Sequence, residues 1–303
     1  MNRLLFFGAS ALTAALFAAT PSIAWAQAQA FPNKVVKIVV PYTPGAVTDT
    51  AGRLVGQHLS EIWGQPVIVE NRPGAGTTIG AEYVAKSAPD GYTLLFADNG
   101  TYAISPHLFT KLNYNALTDF APITVVFRST LVFALSNAVP AKDFKEFLAY
   151  VKANPGKIVY GSWGSGSNPH LAIEQLKRMA GLDMVHVPYK GGAPALADLM
   201  GGKRLPVRPD VPTVIESGVP GYTMISWFAM AAAAGTPAPV LDKIRADIVK
   251  VLQDPRADGF AEKYLKPQAL QPGGDSREEF ASLYKAEYER WGRLVKSVGA
   301  KLD

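Results

Sequence analysis

The 303-residue chain contains no cysteine. That absence removes disulfides, thiolate metal sites and a thiol nucleophile, and it removes the thiol that a lipid anchor at a cleavage site would need, so stability must come from core burial. Histidine is scarce too: His58, His107, His170 and His186 lie far apart in sequence and without HExxH spacing, a poor set for a catalytic or structural metal. Beyond residue 30 no apolar stretch is long enough to cross a membrane; the run at 230–235 is far too short. No phosphate loop ending in Gly-Lys-Ser/Thr, no G-x-G-x-x-G and no G-x-S-x-G elbow occurs. The basic residues are scattered rather than striped between aromatics, which argues against nucleic acid as partner. A net charge of +5 either draws anions toward a cleft or only keeps the chain soluble.

What is present begins with a targeting pattern. Arg3, an apolar run over 4–19, Pro21 and the small-x-small triplet Ala24, Trp25, Ala26 are the n-region, h-region and cleavage site of a secretory signal peptide. Cleavage after Ala26 is expected to leave a protein beginning at Gln27, exported and free of the membrane.

Strand-like β-branched runs alternate with helical patterns. The spacing predicts strands over 34–41, 66–69, 92–97, 157–161 and 184–188, and helices over 77–86, 142–153, 169–180 and 194–200, with a β-rich passage over 122–136. In the helix after the first strand, Ala51, Val55, Leu59 and Ile62 fall on one stripe. Three helices close the chain, near 238–253, 256–265 and 276–297; the last opens on a Ser276/Glu279 capping box and turns Phe280, Tyr284, Trp291 and Val295 to one side. They are expected to wrap back onto the first domain. This alternation implies an α/β fold with parallel sheets covered on both faces. Its length suits two domains.

Three glycine- and hydroxyl-rich turns lie between a strand and the following helix, at 42–49, 72–78 and 161–170. In a parallel sheet such turns sit at the carboxyl ends of strands, where helix N-termini offer unpaired N–H groups to a carboxylate or phosphate. The candidate ligand-binding residues are Tyr42, Thr43, Gly45, Thr48, Asp49, Gly76, Thr77, Thr78, Ser162, Gly164, Ser165, Gly166, Ser167 and His170. The alternative is a set of capped junctions, with Thr48 or Asp49, and Ser167 or Asn168, as N-caps before Pro169. Asp49 either complements a helix dipole or faces the cleft to select an amine or a protonated group. Arg72 and Lys190 either pair with a ligand carboxylate or are solvated. A hydrolase would need His170 to activate Ser165 or Ser167; a histidine just inside a helix start is more often a packing residue.

Five segments together carry a resemblance: PYTPGAVTDTAGR at 41–53, VENRPGAG at 69–76, APDGYTL at 88–94, VPYKGG at 187–192 and PDVPT at 209–213. In this order the chain resembles the Bug family, the substrate-binding receptors of tripartite tricarboxylate transporters. The resemblance implies a periplasmic Venus-flytrap fold, with domain 1 over 27–130 and 226–303 and domain 2 over 131–225. It also implies a small organic carboxylate as ligand, membrane transporter subunits as partners, a monomeric state, no cofactor and no catalysis. A periplasmic hydrolase, or a binding-impaired or sensor relative of the receptors, is the alternative. Two departures reshape the expected pocket: Ala46 replaces one glycine of the family's usual pair, and Trp163 stands where a small residue is usual. A third is larger. After Gly201 and Gly202 a strand-helix-strand segment of about 30 residues is missing, which leaves a shortened second domain and the strand at 184–188 as an exposed edge.

Overall fold

The computed structural model describes residues 31–136, 139–162, 164–189, 214, 216–222, 224–256 and 258–302. The expected signal segment, Trp163, Lys190, the helix over 194–200 and the junction at Gly202 lie outside the described residues. The described residues from 32 onward form one compact unit, built around a six-stranded sheet and a two-stranded one.

The large sheet takes β1 (Val36–Val40), β2 (Val67–Asn71), β3 (Thr93–Asp98), β4 (Phe120–Thr130), β7 (Ile225–Ala233) and the two-residue β8 (Gln271–Pro272), in the order β2-β1-β3-β7-β4-β8. Strands β2, β1 and β3 are parallel, as the alternation with helices demands. The sheet is nonetheless mixed. Strand β7 enters the middle from the far half of the sequence and pairs antiparallel with both β3 and β4. Sequence periodicity passes over β7 because Ser226 to Ala233 are all buried, so the run ISWFAMAAA does not alternate.

Helix α1 (Val47–Trp63) covers the parallel strands through Ala51, Val55 and Leu59, while Ile62 at the end of the expected stripe is exposed. Gly52 and Gly56 bring its axis close to the sheet: a Cβ on Gly52 would lie 3.1 Å from Phe96, and one on Gly56 3.3 Å from Val67. That approach carries the start of α1 to the carboxyl ends of the strands. Helix α2 (Thr78–Ala85) follows β2. After β3 come a π-helical turn (Gly100–Ile104) and the short α3 (Ser105–Leu108), neither of which the sequence pattern suggests.

The smaller sheet pairs β5 (Ile158–Ser162) with β6 (Met184–Pro188) in parallel; α4 (Phe144–Ala153) precedes it and α5 (Asn168–Ala180) connects its strands. Helix α6 (Ala238–Leu252) packs on α1 and β4. Helix α7 (Arg277–Val298) has the expected Ser276/Glu279 capping box and buries Phe280, Tyr284, Trp291 and Val295. Phe280 and Tyr284 meet Tyr102 of the π-helical turn edge-on at 6.1 and 5.4 Å, and Tyr102 stacks on Trp227 of β7 at 5.6 Å. The expected helix near 256–265 is reduced to a π-helical turn (Ala261–Leu265) and a 3-10 turn (Lys266–Gln268), with Pro267 opposing α-helical continuation.

Candidate functional site

The three glycine-rich turns converge on one segment, residues 98–108, at the carboxyl end of β3. Each reaches it through a different contact.

The first turn does so through Tyr42, whose hydroxyl donates to Asp98 Oδ1 at 2.6 Å and lies 3.3 Å from Thr101 Oγ1. Burial and the neighbouring Asp98 charge hold the Tyr42 phenol protonated, and burial raises the Asp98 carboxyl above its usual range. Asp49 is buried at 3% exposure and fully engaged: Oδ2 accepts the Gly45 N–H at 2.8 Å, Oδ1 accepts Asn71 Nδ2 at 2.9 Å, and Arg53 pairs with it at 2.9 Å. Burial opposes its charge, but the Arg53, Gly45 and Asn71 hydrogen bonds prevail and lower its pKa. The geometry therefore matches an acid that ties the turn to the helix start. Thr48 is buried, while Thr43 and Gly45 are exposed.

The second turn is a left-handed run. Gly74, Ala75, Gly76 and Thr77 have φ of 124°, 43°, 56° and 80°, a sequence of positive values that side chains other than glycine rarely adopt. Ser105 Oγ holds it by donating to Gly76 O at 2.6 Å and lies 3.4 Å from Thr77 Oγ1; Thr78 Oγ1 donates to Ala75 O at 2.7 Å. Arg72 pairs with Glu70 and stacks over the Tyr83 ring at 3.5 Å.

The third turn brings Gly166 against Leu108. Gly166 has φ 77°, and a Cβ there would overlap Leu108 Cδ1. At the next helix start, Asn168 Nδ2 donates to Asn99 Oδ1 and to Ser226 Oγ, both at 2.8 Å, and Ser226 Oγ donates to Asn99 Oδ1 at 3.2 Å. All three side chains are buried, and among the described residues no group donates to Asn168 Oδ1. Ser167 Oγ donates to Gly164 O at 2.7 Å, and Ser165 is exposed.

His170 is packed and hydrogen-bonded within the chain. Its Nδ1 accepts the Gly166 N–H at 2.9 Å and its ring stacks on His186 at 3.9 Å, which stacks in turn on Tyr160. Distance in sequence is misleading for this pair: β5–β6 pairing sets His186 opposite Tyr160, and α5 lays His170 over it. Burial first, then the His186 charge, lowers the His170 pKa to about 4. Ser162 is buried, bonded to His186 Nε2 at 2.7 Å and to Gly164 O at 3.0 Å. Among the described residues neither Ser165 nor Ser167 bonds to His170, the pairing expected of a hydrolase; the serine–histidine contact here is instead Ser162 with His186.

The capping alternative also takes a definite form. The N-caps of α1, α2 and α5 are Ala46, Thr77 and Ser167, and none makes a side-chain capping bond. By contrast α4 and α7 are capped by Asp143 and Ser276. The starts of α1, α2 and α5, none with a side-chain cap, thus gather around residues 98–108, an arrangement suited to anionic oxygen atoms, with the Thr78 N–H of α2 already given to Ala75 O and α6 likewise uncapped at Pro237. Sequence reasoning missed Asp98, Asn99, Thr101, Ser105 and Ser226; the polar triplet Asp98, Asn99, Gly100 after an apolar strand was the available signal.

The family described as tripartite tricarboxylate transporter family receptor matches residues 51–207 and 202–300. BugT of Bordetella pertussis is 30% identical over 319 residues, 95% of this chain and 96% of its own. An aligned span longer than the 303-residue chain requires gaps in this chain. An adipate-bound protein of R. palustris superposes with a TM-score of 0.78 at 31% identity, covering 90% of this chain and 100% of that one. MatC from Rhodopseudomonas palustris with bound malate gives 0.73 at 30% identity, covering 88% and 100%.

Proposed function

This chain belongs to the tripartite tricarboxylate transporter receptor family, and from that premise we propose that it captures a small dicarboxylate between its two sheets, held by the turns at 42–49, 74–78 and 164–170. The observation that carries this reading is the gathering of three uncapped helix starts on residues 98–108. The ligand's carboxylates would take main-chain N–H groups, with Thr48 and Thr77 adding hydroxyls; a ligand hydroxyl could donate to Asn168 Oδ1. Neighbouring structures hold adipate and malate, which fits a four- to six-carbon diacid.

The remaining parts of the proposal follow the family. The chain is exported to the periplasm after cleavage behind Ala26, works as a monomer and hands its ligand to membrane subunits. No helix among the described residues is long and apolar enough to cross a membrane. The six-stranded sheet with α6 and α7 is one lobe, and the two-stranded sheet with α4 and α5 the other.

One observation favours a modified form of this function. The family matches in two pieces that meet at 202–207, and the alignment to BugT outruns the chain. Both support a shortened second lobe, which would close less firmly and bind more weakly than a full-length relative.

A thermal-shift panel of mono-, di- and tricarboxylates tests the reading. A ligand at a hundred times its Kd should stabilise by about 2.7 kcal/mol. Absence of a shift with every diacid, adipate and malate included, would overturn it.

A further inference from the structure

Away from the turns, α5 and α7 face each other across a cleft of about 410 Å³. The spacing of its walls is that of two helix faces. Gln175, Arg178 and Met179 stand at i, i+3 and i+4 on α5; Arg290, Arg293, Leu294 and Ser297 stand at i, i+3, i+4 and i+7 on α7. Three guanidiniums therefore line one space whose floor is apolar.

Their charges are poorly balanced. Arg290 pairs with Glu287 at 2.9 Å and reaches across to Gln175 Oε1 at 3.1 Å. Arg178 and Arg293 make no hydrogen bond or ion pair among the described residues. Arg178 lies in the last turn of α5, where a cation complements the helix dipole. That explanation does not extend to Arg293, which lies outside the last turn of α7, or to the convergence of all three. Among the described residues, Glu287 is the acid paired in the cleft, and Arg178 and Arg293 have no acidic partner.

We propose that this cleft is a second anion site, separate from the turns, that takes a small polyanion carrying two or three negative charges on planar or tetrahedral oxyanion groups. Guanidinium forks bind such groups bidentately. Gln175 can add a neutral hydrogen bond through its amide, while the Ser297 hydroxyl is held by Leu294 O at 2.6 Å, and Met179 and Leu294 cover the ligand's carbon skeleton. Ten residues of helix separate Arg178 from Asn168, about 15 Å at 1.5 Å per residue, so the two sites do not overlap. Because the cleft joins α5 to α7, a bound polyanion would bridge the helix that starts at the third turn to the helix packed on the six-stranded sheet.

Calorimetric titration with citrate and with inorganic phosphate, at about 20 mM ionic strength to limit screening, tests the site. The variants are Arg178→Gln/Arg293→Gln, its lysine counterpart Arg178→Lys/Arg293→Lys, and Lys145→Gln/Lys152→Gln on α4 as a charge-matched control away from both sites. All four side chains are exposed, so folding should be unaffected. The expected result is a citrate-binding event at least tenfold weaker in the glutamine pair, largely kept in the lysine pair and unchanged in Lys145→Gln/Lys152→Gln; phosphate, with fewer oxygens to share, should follow the same order with lower affinity. Equal citrate affinity in wild type and the Arg178/Arg293 glutamine pair, or an equal loss in Lys145→Gln/Lys152→Gln, would overturn the proposal.

Discussion

Gly166→Ala probes the contact that joins the third turn to the rest of the site. Two costs add at this position. A side chain at φ 77° enters the left-handed region, at about 1–2 kcal/mol. The new methyl also overlaps Leu108 Cδ1, and overpacking a close contact costs about 1–3 kcal/mol. Together the substitution should destabilise by about 2–5 kcal/mol. Leu108→Ala, at a residue 2% exposed, should cost a similar amount alone by leaving a cavity. In that background the methyl has room, so Gly166→Ala should then cost only the backbone part, about 1–2 kcal/mol. Urea unfolding of the four proteins measures the coupling directly, with an expected interaction of about 1–3 kcal/mol. An equal cost of Gly166→Ala in both backgrounds would show that the turn does not rest on Leu108, and the convergence argued for the site would lose one of its three contacts.

Tyr42→Phe should cost about 1–3 kcal/mol in the same assay, because it strips the buried Asp98 carboxylate of its shortest hydrogen bond. Ser276→Ala removes the capping box of α7 and should cost about 1 kcal/mol, with little effect on ligand affinity. For pH, an unfolded histidine titrates near 6.5 and folded His170 near 4. Between those values the unfolded chain holds the extra proton, so stability should fall as pH drops through that window. His186, also lowered by burial, adds to the same slope, while Glu174 and Lys177 act on both rings in opposite directions. His170→Gln should flatten the dependence of the urea midpoint between pH 6.5 and 4; an unchanged slope would contradict the buried neutral stack.

Local signals were legible where a residue's partner is near in sequence. The first three strands, the stripe of α1 up to Leu59 and the Ser276/Glu279 box are all short-range patterns that the structure bears out, Ile62 alone falling outside the buried stripe. The family was legible for another reason: its motifs at 41–53 and 69–76 run through the first two turns themselves. Strand β7 was hidden because full burial erases alternation, and with it went the mixed character of the sheet. Segment 98–108 was hidden because its role is tertiary: nothing local shows that Asp98 serves Tyr42, that Ser105 fixes Gly76, or that Asn99 meets Asn168. The His170–His186 stack escaped for the same reason, since β5–β6 pairing and not sequence distance brings the rings together. Asp49 shows the limit from the other side. Its position suggested either a helix-start acid or a ligand selector, and nothing local showed the three partners, Gly45, Asn71 and Arg53, that surround its oxygens.

The most direct measurement of the central claim is a titration of ¹⁵N-labelled protein with malate, followed by amide chemical shifts. The account predicts that the largest changes fall on the first-turn amides of α1, α2 and α5, with Asn99 and Ser226 moving as the third turn completes its contacts. Changes confined to the arginine cleft between α5 and α7, or spread without focus at these helix starts, would contradict it.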